Sequence, residues 1–304
     1  MKNNETDLIE KIAHLKKEKD AIILAHNYQR GEVQDIADFV GDSLGLSREA
    51  QKLSCKIIVF CGVRFMAETA KILSPDKMVL LPREEAGCPM ADMITKDELK
   101  EIKTKYPEAK VVSYVNTTAE VKAESDVCCT SSNALKVVQH IDAEKIIFVP
   151  DRNLASYVSQ FTDKEIVPYN GYCYVHDRIY PESIKRAKEA YPDAVVLVHP
   201  ECRDGVIKLA DEVASTGGMI KFAKTSKARK FIIGTEEGLI HRLKKENPEK
   251  EFFTAGPALM CHNMKLTSLE DVYLSLKMEK YKIEIEEDVQ RKAKKALDRM
   301  LKYI

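Results

Sequence analysis

At 304 residues, 44% of them hydrophobic and 32% charged, the chain has the length for two or three units and the apolar content for a sizeable core. Lysine plus arginine equals aspartate plus glutamate at 48 each, so no overall field recommends nucleic acid or an anionic membrane as a partner. The start carries no apolar leader and no run of about 18 apolar residues occurs, which predicts a soluble, cytoplasmic protein whose eight cysteines are buried thiols, metal ligands or redox groups, not a disulfide framework.

Asp7 to Lys19 carries Ile9, Ile12 and Leu15 at helical spacing, and Ala21 to Ala25 is a continuous apolar run that predicts a strand buried on both faces, ending at His26-Asn27-Tyr28-Gln29. A helix over Val33 to Asp38 leads to a short strand ending at Gly41-Asp42-Ser43, and a helix over Ser47 to Lys52 leads to a strand over Ile57 to Phe60. The next helix, Phe65 to Leu73, is stopped by Ser74-Pro75-Asp76, and a strand over Met78 to Leu81 leads to Gly87-Cys88-Pro89-Met90.

The series then restarts. A helix over Asp97 to Lys105 ends at Tyr106-Pro107, strand Val111 to Val115 leads into Asn116-Thr117-Thr118, and Val127-Cys128-Cys129 leads into Thr130-Ser131-Ser132-Asn133. Strand Ile146 to Val149, a helix and strand Glu165 to Pro168 bring the chain to Gly171-Tyr172-Cys173. In a third pass, helix Ser183 to Ala190 ends at Tyr191-Pro192 and strand Ala194 to Val198 ends in His199-Pro200-Glu201. Glu212 to Ala214 precedes Ser215-Thr216-Gly217-Gly218, Phe231 to Ile233 precedes Gly234-Thr235-Glu236, and Glu251 to Thr254 leads to Leu259-Met260-Cys261. The closing stretch, Leu269 to Ile304, is Lys-rich with a helical pattern and a cap at Ser268.

Three such copies predict an α/β fold of three α/β/α units, each with a small parallel sheet; if the units face one another around a pseudo-threefold axis, their strand ends converge on one central cavity. The units are expected at 1–90, 91–177 and 178–264, with a helical segment over 265–304 packing back on them. Ligands of open parallel sheets gather beyond the carboxyl ends of the strands, and the chemically capable residues all follow strands.

Cys88, Cys173 and Cys261 recur at nearly equal intervals, one per unit. Three thiolates leave one coordination position free for a Lewis-acid role; zinc would accept such a site, and single cysteines from three separate units suit a [4Fe-4S] cluster. The alternative is that each is an isolated buried thiol. Cys55, Cys61, Cys128 and Cys129 lie in or beside apolar runs and read as core, and Cys202 stays unassigned. Ser43, Ser131 and Thr216 occupy one repeated place, where a hydroxyl either caps a helix or helps to bind an anion, and both roles are compatible. His26, His199 and Glu201, with Tyr28, form a set suited to acid–base work beside a metal, and Tyr114 and Asn116 hold the matching place in the middle unit. The alternative is a hydrogen-bonded core residue for each histidine, and turn formation and packing for Tyr114 and Asn116.

The stretches Ile23 to Gln29, Val33 to Ser43, Phe65 to Glu68, Tyr114 to Thr117, His199 to Cys202 and Ser215 to Gly217, in this order over nearly the whole chain, resemble the quinolinate synthase family. The resemblance implies condensation of iminoaspartate with dihydroxyacetone phosphate to quinolinate, with loss of phosphate and two waters, in de novo NAD biosynthesis. It implies a [4Fe-4S] cluster on Cys88, Cys173 and Cys261, catalytic roles for Tyr28, Glu201, His26 and His199, and substrate binding by His26, Ser43, Tyr114, Asn116, Ser131, His176, His199, Glu201 and Thr216. An upstream L-aspartate oxidase or aspartate dehydrogenase is the partner such an activity would have. Two features depart from expectation: Cys261-His262-Asn263-Met264 lacks the extra cysteines that some relatives carry there, and Arg64 stands where an aspartate is expected. The rival readings are another three-cysteine [4Fe-4S] enzyme of this architecture, of the isoprenoid diphosphate reductase type, and a non-catalytic iron–sulfur metabolite sensor.

Overall fold

In the computed structural model, which describes residues 2–257 and 259–303, the apolar runs become strands of three parallel sheets. The first contains β1 (Ala21–His26), β2 (Phe39–Gly41), β3 (Ile57–Cys61) and β4 (Met78–Leu80); the second contains β5 (Lys110–Tyr114), β6 (Val127–Cys129), β7 (Lys145–Val149) and β8 (Glu165–Pro168). The third contains β9 (Val195–Val198), β10 (Glu212–Val213), β11 (Lys230–Gly234) and β12 (Glu251–Thr254). All three share one order, β2-β1-β3-β4, β6-β5-β7-β8 and β10-β9-β11-β12, so the sequence repeat is a repeat of topology. Every ladder is parallel, which requires the helical crossovers that the sequence supplies.

Two local devices recur. An aspartate before the second strand of each unit closes the ladder from both sides: the Asp38, Asp126 and Asp211 carboxylates accept the N–H groups of Ile23, Val111 and Val196 at 2.7–2.8 Å, and their own N–H groups donate back to those residues' carbonyls. Four helices end on a residue before proline, Ser74, Tyr106, Tyr191 and Asn247, each with φ between −131° and −138° and ψ between 67° and 72°. The proline ring excludes the helical conformation from the residue before it, so the stop is written in the sequence.

Some boundaries differ from the sequence reading. The first crossover helix is Gly31–Ile36, not Val33 to Asp38, because Ala37 is extended and Asp38 is committed to β1. The helix expected at Ser47 starts at Ser43, where Asp42 caps it by accepting the Gly45 N–H at 2.8 Å. The closing stretch is two helices, Leu269–Met278 and Glu287–Met300, and Ile304, like Met1, lies outside the described residues. Glu279 (φ 49°) and Tyr281 (φ 60°) turn the chain between them, and the segment adds an antiparallel bridge from Lys282 to Leu80. Ser268 caps the first of these helices in a capping box with Asp271.

The largest core is shared by the first two sheets and the last helix, which buries Val289, Ala293, Ala296, Leu297 and Met300 on one face. The third sheet has a separate core on each of its faces. No helix among the described residues is long and apolar enough to cross a membrane.

Candidate active site

The carboxyl ends of all three sheets open onto one cavity of about 70 Å³, measured to the centres of water-sized spheres. Every residue expected at the site lines it: His26, Tyr28 and Ser43 with Cys88 from the first unit, Tyr114, Asn116 and Ser131 with Cys173 and His176 from the second, and His199, Glu201 and Thr216 with Cys261 from the third. Side chains separated by up to 235 residues in sequence are brought together because each stands at the end of a strand in one repeated topology.

Glu201 is the electrostatic centre. Its carboxylate is buried, accepts the hydroxyl of Tyr114, and lies 2.8 Å from His176 Nδ1 and 3.8 Å from His199 Nδ1. Burial alone would raise its pKa, but the adjacent His176 and His199 and the hydrogen bond from Tyr114 outweigh it and bring the pKa down to about 2. The two imidazoles stack at 4.5 Å with 16° between their planes. His199 is lowered to about 3 and His26 to about 4, both chiefly by burial, so both rings are neutral at neutral pH. Tyr28 and Tyr114 are pushed well above the usual tyrosine value, first by burial and then by the Glu201 charge, so both keep their protons. Tyr28 shares a 2.6 Å hydrogen bond with Thr235, which also meets His176 Nε2 at 2.8 Å. The set is therefore one carboxylate base, two phenolic donors and neutral imidazoles able to pass protons between them.

The polar wall has its own order. Asn27 Nδ2 donates to the Thr216 hydroxyl at 2.9 Å, and Ser131 bonds the Tyr114 hydroxyl. The Asn116 Oδ1 atom is buried and accepts no hydrogen bond among the described residues, an uncompensated acceptor aimed at whatever fills the space. The capping role expected of Ser43 and Thr216 belongs to their predecessors: Asp42 and Ser215 accept the N–H groups of Gly45 and Gly218, so the two hydroxyls are spared for the cavity.

The cysteines divide as their sequence contexts suggest. Cys55, Cys61, Cys128, Cys129 and Cys202 are buried, whereas Cys88, Cys173 and Cys261 are partly accessible and all face the cavity. Each of these three lies one to three residues before a short helical turn, Ala91–Met93, Tyr174–Asp177 or Asn263–Lys265, and each sulfur is approached by N–H groups at or beside that turn: Ala91 and Met90, His176, and Met264 and Asn263. Burial pushes Cys88 up to about 12 and raises the other two, so the thiols keep their protons at neutral pH. Ligand atoms of Cys173, His176 and Glu201 also lie within 4.8 Å of one another. Three thiols from three units, each with N–H donors turned to its sulfur, form a donor set that fits a metal cluster.

Residues that sequence reasoning did not single out hold this arrangement. Buried Asp151 and Glu236 accept the N–H groups of Cys173 and Cys261 at 3.2 and 3.0 Å, and Glu236 pairs with Lys265 at 2.9 Å. Both stand two places beyond the third strand of their unit, so the repeat itself carried the signal; the first unit has apolar Val63 at that place. There the loop before Cys88 is tied by the Arg64 N–H to Ala86 O at 2.8 Å, and the Arg64 side chain makes no ion pair among the described residues. Asp42, Ser132 and Thr235 were likewise missed.

Residues 10–302 match the model of the family described as Quinolinate synthetase A protein. The chain is 56% identical over 299 residues to a quinolinate synthase of Alkaliphilus metalliredigens, covering 98% of this chain and 99% of that one. It is 57% identical over 297 residues to that of Thermodesulfovibrio yellowstonii (97% and 98% covered) and 55% identical over 295 residues to that of Clostridium kluyveri (97% of each).

Proposed function

The chain belongs to the quinolinate synthetase A family, and from that premise we propose that it condenses iminoaspartate with dihydroxyacetone phosphate to form quinolinate, with loss of phosphate and two waters, for NAD biosynthesis. The observation that carries this reading is the meeting, in one cavity, of three cysteines with the Glu201 carboxylate, two tyrosines and three histidines.

Cys88, Cys173 and Cys261 would hold a [4Fe-4S] cluster, which when bound supplies Lewis-acid polarisation of substrate oxygens. The chain's own groups do the rest. Glu201 takes protons from substrate carbon and nitrogen, being an ionised carboxylate at neutral pH that lies against Tyr114, His176 and His199. Tyr28, through its link to Thr235, gives protons to departing hydroxyls, and His26 and His199 carry them between sites. Ring formation and aromatisation need several such transfers, each worth about 10²–10⁴ in rate when a placed group performs it. Ser43, Ser131 and Thr216, with Tyr114, Asn116 and His176, hold the phosphate and carboxylates; the unpartnered Asn116 Oδ1 suits a substrate hydroxyl or ammonium donor.

Iminoaspartate is made by an upstream L-aspartate oxidase or aspartate dehydrogenase, and the reading carries with it a cytoplasmic location. The test is direct: anaerobically reconstituted protein given iminoaspartate and dihydroxyacetone phosphate should form quinolinate and release phosphate in equal amounts. Reduction of an isoprenoid diphosphate, with no quinolinate, would replace this reading with its closest rival.

A further inference from the structure

Above the active cavity lies a second, larger space of about 590 Å³ on the same measure. The two share Asp42, Ser131 and Ser132 as a common wall. That wall is a hydrogen-bonded bar with one member from each unit: the Ser132 hydroxyl lies 2.9 Å from Asp42 Oδ2 and 2.7 Å from the Ser215 hydroxyl, and Ser215 lies 3.4 Å from the same Asp42 oxygen. Gly217 lets the third unit approach this closely, since a Cβ there would stand 2.6 Å from Asp42 Oδ2.

The outer space carries an excess of positive charge. Arg48 and Lys221 line it, each exposed and each at the same distance along its helix from the bar residues Asp42 and Ser215. Lys136 holds the corresponding position in the middle unit, six residues after Thr130. None of the three side chains forms an ion pair or hydrogen bond among the described residues. The one carboxylate at the floor, Asp42, is committed to Gly45, Ser132 and Ser215. Leu135, Leu154, Tyr157, Val158, Pro200 and Val213 make much of the remaining wall apolar. Unpaired cations above low-dielectric walls focus a positive field into a cleft.

We propose that this outer space is an anion-collecting vestibule, in which Arg48 and Lys221 draw small dianionic carboxylates and phosphates toward the Asp42–Ser132–Ser215 bar that separates it from the active cavity. The inference rests on the proposed function for the identity of the anions, since both substrates and both anionic products of that reaction carry negative charge. It adds a docking place and two steering residues outside the cavity.

The test is stopped-flow mixing of the anaerobic holoenzyme with quinolinate, followed by tyrosine fluorescence, over a range of ionic strengths. Turnover by the wild-type enzyme is measured first and decides the functional reading separately. With Arg48→Glu/Lys221→Glu the association rate constant should fall about tenfold at low salt, approach the wild-type value at high salt, and lose its wild-type decline with ionic strength. Lys17→Glu/Lys105→Glu changes net charge equally at exposed, unpaired positions on other helices and should behave as wild type. Equal rate constants and equal salt dependence in wild type and the Arg48/Lys221 variant would overturn the vestibule, as would an equal loss in the control. Circular dichroism and iron content show that each variant is folded and loaded.

Discussion

Replacing Glu201 by Gln removes one charge while keeping nearly the same shape, and the surrounding groups determine the outcome. The Gln carbonyl oxygen can still accept from Tyr114, but its amide cannot take a proton, and its NH₂ must face His176 Nδ1 or exchange places with the oxygen. Two charge-assisted contacts become neutral ones, roughly halving each, while the cost of burying a carboxylate disappears. The net change in stability is therefore expected to be small, about 1–2 kcal/mol in either direction. Catalysis loses the carboxylate assigned as its base and should fall by about 10²–10⁴, or about 3–5 kcal/mol in barrier. His199 should move as well, since Glu201 is the main group opposing the burial that lowers it. Quinolinate formation at saturating substrates, with iron and sulfide measured on the same sample, separates the chemical loss from cluster loss. Full iron content with turnover within about threefold of wild type would refute the assignment of Glu201 as the base.

Cys88→Ser, Cys173→Ser and Cys261→Ser should each lose most of the bound iron after anaerobic reconstitution. Cys61→Ala, in the buried part of β3, should keep it at a cost of about 1 kcal/mol, read from iron analysis and urea melts. The metal-free chain should lose stability as pH falls from 6.5, because buried His26 and His199 stay neutral down to about 4 and 3 while the unfolded chain takes up protons. The stability is fully present above pH 6.5, and each histidine removes about 2 kcal/mol by pH 5, so His26→Gln should flatten the measured slope. Gly217→Ala should displace Asp42 from the bar at a cost of about 1–3 kcal/mol, seen as a lower melting temperature together with a changed KM.

The repeat was legible because its local signals are strong. The X-Pro helix stops and the apolar strand runs act within a few residues of themselves, and they recur in the same order as the three sheets. The three cysteines could be chosen from eight because only they lie in loops after fourth strands. Helix starts were less legible: whether Asp42 or Ser43 caps a helix depends on backbone angles that neighbouring sheets fix.

What the sequence determined by itself is the ingredients and their topological place: three α/β units, a thiol at the end of each, and His, Tyr and Glu side chains at strand ends. These come from patterns of two to four residues and from the rule that sites gather beyond the carboxyl ends of parallel strands. What only the tertiary structure decided is who touches whom. Tyr114, not Tyr28, donates to Glu201, Thr235 joins Tyr28 to His176, and Asp42, Ser132 and Ser215 meet in one bar. Those contacts cross between units, and their geometry depends on how the three sheets are set against one another, which no short-range pattern encodes.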